Sequence, residues 1–82
     1  MEKEPDPSWV VYRRALGDRL RLLRVQRRLS QEDLAHRAGI GVSTLRVIEG
    51  GTPNAPRLGA LYRLARVLDV PVHDLLRDDR GR

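Results

Sequence analysis

Apolar residues recur along this chain with the 3.6-residue period of helices, and no segment alternates as a strand does. Leu16, Leu20 and Leu23 keep that spacing, with Trp9, Val10, Val11 and Tyr12 before them, the first three as extra core. They predict one long first helix of about five turns, from Ser8 to near Arg28. Ser30 followed three residues later by Asp33 has the form of a capping box and starts a second helix at Gln31. Its inner face is Leu34, Ala35 and Ala38. Gly39 stands past the last periodic residue, where a left-handed turn favours glycine. A third helix, about Val42 to Glu49, turns Leu45 and Ile48 inward and leaves Val42, Ser43, Arg46 and Val47 outside. The run Gly50-Gly51-Thr52-Pro53-Asn54-Ala55-Pro56 is dense in turn formers and reads as a loop. Leu58, Leu61, Leu64, Ala65 and Leu68 mark a fourth helix from about Arg57, and Pro71 opens a short last one in which Leu75 and Leu76 close the core.

The expected fold is all-α: a compact five-helix bundle with an extended first helix. Its 82 residues make one domain at most. Residues 1–7, with two prolines and four charges, read as a disordered leader. Residues 8–76 read as the folded domain and 77–82 as a flexible tail.

The formal net charge is +5, and all sixteen basic residues except Lys3 are arginine. A positive balance favours polyanions. Arginine makes bidentate contacts to phosphate and guanine that lysine cannot, but a GC-rich genome yields the same bias, so composition does not choose. Arg13, Arg14, Arg19, Arg21, Arg24, Arg27 and Arg28 on the first helix stand against Asp18 alone and read mainly as a solvated face. The absence of cysteine excludes disulfides, thiolate zinc sites and a cysteine nucleophile. His36 and His73 have no further ligand at metal spacing. No nucleophile, paired carboxylate or Gly-rich phosphate loop points to an enzyme, so no cofactor, metal or small-molecule ligand is expected. No apolar run approaches the roughly 20 residues of a membrane span, and Met1 to Pro7 lack an apolar signal region, which predicts a cytoplasmic protein.

Function is most legible between Leu29 and Gly51. Two short helices joined at a glycine-centred turn cross steeply, because Ala35 and Gly39 allow close approach, and the third helix is left protruding to enter a DNA groove. On it, Arg46 can donate to guanine or phosphate and Ser43 to a base edge or the backbone, whereas Val42 and Val47 can only pack, as against thymine methyls. These four are the candidate base-reading residues. The unpaired amides opening the second helix, with Gln31 beside them, form a phosphate seat that Thr44, Asn54 and Arg57 can extend. So sparse a reading surface predicts modest base discrimination, with phosphate contacts and DNA shape supplying much of recognition.

The residues Leu16…Leu20…Leu23-Arg24…Leu29-Ser30-Gln31-Glu32-Asp33-Leu34-Ala35…Ala38-Gly39…Leu45…Ile48-Glu49…Gly51, then Leu61…Leu64-Ala65…Leu68…Val70, resemble the XRE family of phage Cro and C1 repressor type over roughly residues 16–76. The resemblance implies a lambda-repressor-like domain that regulates transcription, usually as a homodimer on a palindromic operator with its second and third helices in the major groove. It implies that Gln31 binds phosphate, that Val42, Ser43, Arg46 and Val47 face the groove, and that Arg24 and Glu49 form a buried ion pair. Gly41 stands where the family often has a capping Ser or Thr, and Val42 and Val47 replace polar or basic residues. The extension Ser8 to Ala15 has no family role. A protein-interaction module on the same scaffold is the alternative, and Val72 and Leu76 are the candidate dimer surface.

Overall fold

The computed structural model describes residues 6–52 and 55–77, and among these every regular element is helical. Five helices follow one another: α1 (Pro7–Gln26), α2 (Gln31–Ala38), α3 (Val42–Glu49), α4 (Leu58–Leu68) and α5 (Val72–Leu76). The all-α five-helix architecture with a long first helix is as the periodicity predicts. α1 opens one residue before Ser8, because the Asp6 side chain accepts from the Ser8 amide and Pro7 fits the first turn, where no N–H is needed. It ends at Gln26, and Arg28 then takes a left-handed φ of 58° that turns the chain toward α2.

Every helix sends at least one fully buried leucine into a common core: Leu20, Leu34, Leu45, Leu64, Leu68 and Leu75. Each such burial is worth roughly 1.5–3 kcal/mol relative to exposure. α1 packs on α3 and α5, α2 on α3 and α4, and α4 on α5. The contact of α1 with α3 is between backbones at Gly17, where an added Cβ would lie 2.6 Å from the carbonyl oxygens of Ile48 and Glu49.

Three expectations are corrected. Val11 and Leu58 are exposed rather than core, since Val11 lies on the face of α1 turned away from Leu16 and Leu20 and Leu58 on the outside of the first turn of α4. Val72 and Leu76, the candidate dimer surface, are half-buried and pack against the core. The arginines of α1 are also only partly a solvated face. Arg13 is buried with its Nε donating to Gly51 O at 2.8 Å, Arg19 Nη1 donates to Leu75 O at 2.8 Å, and Arg27 Nε donates to Leu68 O at 2.6 Å. Tyr12 Oη donates to Leu76 O. These carbonyls lie at or just past the C-terminal ends of α3, α4 and α5, where the last C=O groups lack helical partners and carry partial negative charge. α1 and its C-cap residue Arg27 thus cap α4 and α5 and tie down the turn after α3, and arginine is suited to it because its donors reach across and its charge complements the helix ends.

Candidate nucleic-acid interface

The start of α2 is built by the predicted capping box. Ser30 Oγ accepts from the Asp33 amide at 2.9 Å, and Asp33 Oδ2 accepts from the Ser30 amide at 3.3 Å. These bonds hold the Asp33 carboxyl below its ordinary range. α2 closes at Gly39 with φ 72°, the left-handed turn that a side chain would strain, and the chain enters α3 through Gly41, which offers no side-chain cap.

On α3, Ser43, Thr44, Arg46 and Val47 are exposed. Val42 is not on that outer face. It stands three residues before Leu45 and seven before Glu49, on the side of the helix they share, so it is half-buried against the core. Arg57 is exposed at the N-cap position of α4. A shallow cleft beside α3, lined in part by Ser43, Thr44, Val47, Pro56 and Arg57, runs from the outer face of α3 to the start of α4. Asn54 lies outside the described residues.

The expected ion pair joins α1 to the end of α3. Arg24 Nε donates to Glu49 Oε2 at 2.7 Å and Nη2 to Glu49 Oε1 at 3.0 Å, while Nη1 caps Leu29 O at 2.9 Å. The side chains are 12% and 4% exposed. The bond to Glu49 raises the Arg24 pKa, against the opposing effect of burial. Glu49 also accepts from Gln31 Nε2 at 3.1 Å, which fixes the orientation of the Gln31 amide. Its oxygen then faces Arg46, whose Nε donates to Gln31 Oε1 at 3.3 Å, and Arg46 Nη2 donates to Glu32 Oε2 at 3.0 Å. One hydrogen-bonded chain, Arg24–Glu49–Gln31–Arg46–Glu32, therefore runs from the interior to the outer face of the helix pair. The sequence reading missed Glu32. Its only signal there is an acid beside Gln31, and its meaning depends on α3 bringing Arg46 back across the turn.

Among the described residues no cluster of His, Cys, Asp and Glu could hold a metal ion, and no helix is long and apolar enough to cross a membrane.

A family model described as a helix-turn-helix domain matches residues 15–78. The cryptic phage CTXphi transcriptional repressor RstR of Vibrio cholerae is 38% identical over 62 residues, which are 76% of this chain and 55% of that protein. Among solved structures, the master regulator for biofilm formation SinR in complex with DNA superposes with a TM-score of 0.72 at 35% identity, covering 76% of this chain and 98% of that one. The restriction-modification controller protein C.AhdI from Aeromonas hydrophila gives a TM-score of 0.70 at 37% identity, covering 76% and 92%. The chain spans about half the length of the curated relatives it matches.

Proposed function

Because the chain belongs to the helix-turn-helix family of XRE type, with which it shares residues 15–78, we propose that it is a DNA-binding transcriptional regulator. It places α3 in the major groove, acts as a homodimer on a palindromic operator and works in the cytoplasm without catalytic chemistry. The observation that carries this reading is the Gln31 amide, held by Glu49 at the opening of α2. One N–H of Nε2 goes to Glu49, and the second remains for a phosphate oxygen beside the amides of the helix N-terminus. Thr44 and Arg57 grip the flanking backbone, and Asn54 is assigned the same role from the sequence. Arg46, Ser43 and Val47 meet the bases; Val42, turned toward the core, meets the groove with its edge at most. The DNA complex of SinR supports the same use of the fold.

A protein partner is the second reading. SinR has also been solved as a complex with the SinI protein, and a reading face with one cation, one hydroxyl and one exposed valine is sparse.

Selection of bound fragments from genomic DNA, followed by gel-shift titration, tests the proposal. It should recover a palindromic site whose affinity drops on Arg46→Ala and Ser43→Ala. If a dimer neutralises about six phosphates, affinity should also fall about a thousandfold from 50 to 200 mM salt. Binding without sequence preference and indifferent to Arg46→Ala would refute it.

A further inference from the structure

Glu32 is a carboxylate on a surface otherwise suited to phosphate. It is 66% exposed in the first turn of α2, next to Gln31, and its ion-pair partner is Arg46, the cation on the outer face of α3. Together Glu32 and Gln31 occupy one side of the Arg46 guanidinium: Nε donates to Gln31 and Nη2 to Glu32. Gln31 cannot drift with Arg46, because Glu49 anchors its amide and Arg24 anchors Glu49. An arginine has five N–H donors in a planar fork. With the Nε–Nη2 side taken, the Nη1–Nη2 end remains, and that end can meet O6 and N7 of a guanine.

We propose that Glu32 is a specificity-determining residue that holds Arg46 in its base-reading pose and withholds it from the DNA backbone. The inference rests on the regulator reading above. A guanine at the right step can be read with the Glu32 contact intact. A backbone phosphate can capture Arg46 only by breaking that ion pair and by bringing negative charge close to the Glu32 carboxylate. Discrimination then comes from weakening the wrong complex as well as from strengthening the right one. The same arrangement compensates for a reading surface with few polar groups, since its one cation is not free to bind every sequence equally.

The test uses the full chain and two duplexes of equal length and composition: the one most enriched by selection, and its scrambled counterpart. Affinities are measured at several salt concentrations for the unmodified protein, Glu32→Gln, Arg46→Ala and the double variant, with thermal melts to verify folding. Glu32→Gln should tighten binding to the scrambled duplex by about two- to fivefold, the scale of an exposed ion pair. Its effect on the selected duplex should be smaller, so the preference ratio falls. The salt slope on the scrambled duplex should steepen by about 0.9, one added phosphate contact. In the Arg46→Ala background all of these changes should disappear. An equal gain on both duplexes, or a gain that persists without Arg46, overturns the inference and makes Glu32 a plain repulsive charge. If the unmodified protein shows no preference between the duplexes, the regulator reading falls and the inference falls with it.

Discussion

Glu49 accepts hydrogen bonds from both Arg24 and Gln31 while its side chain is 4% exposed, so its loss strands a charge and frees an interface residue at once. Glu49→Ala should cost about 3–5 kcal/mol, the usual result of leaving a buried ion without its partner. Glu49→Gln, which keeps an acceptor for Arg24, should cost less; chemical denaturation of the two variants checks the order. At this scale the sequence was legible where residue type is diagnostic. Arg24 and Glu49 were identifiable through the family pattern, and Ser43, Arg46 and Val47 through helical periodicity. Val42 was misplaced because periodicity assigns a face only to within about a residue in a helix two turns long. The solvated-face reading holds for Arg14, Arg21 and Arg28, which are exposed, but it missed the bonds of Arg13, Arg19 and Arg27, because their acceptors, the carbonyls of Gly51, Leu75 and Leu68, are far away in sequence.

The helix pair is braced from outside by α1 packed on α3 and α4 packed on α2. α1 crosses the end of α3 at Gly17, where the obstacle to a side chain is backbone rather than a movable side chain. Gly17→Ala should therefore destabilise the fold by about 1–3 kcal/mol despite the better helix propensity of alanine, measured as a lowered midpoint of denaturation. Gly17 carries no turn signal in the sequence; inside a helix pattern its requirement appears only once α3 is packed against it. The capping box of α2, by contrast, was legible from Ser30 and Asp33 alone, because both partners lie within one turn. It makes acid stability predictable in sign. Asp33 is lowered in the folded chain by its bonds to Ser30, so its contribution is present above the ordinary aspartate range and is lost as pH falls through the lowered value. Thermal melts across that acid range should show stability declining toward low pH, with a shallower decline for Ser30→Ala, which at neutral pH should itself cost about 1 kcal/mol.

Across the whole molecule, three of the five helices contribute to one candidate surface: the opening of α2, the outer face of α3 and the start of α4. Fold class and helix order were readable from spacing, caps and turn residues, since these are local properties of the chain. The chain Arg24–Glu49–Gln31–Arg46–Glu32 was readable only at its first pair, because the rest crosses between α2 and α3 through contacts that no local pattern specifies. On the proposed reading, this surface is the one that meets DNA. The most direct measurement is amide chemical-shift mapping of the 15N-labelled chain titrated with the duplex most enriched by selection. The account predicts that the largest changes fall on Gln31, Glu32, Ser43, Thr44, Arg46, Val47 and Arg57, with the side-chain amide of Gln31 among them. Changes centred instead on the outer face of α1, around Val11, Leu22 and Val25, or on α5, would contradict it.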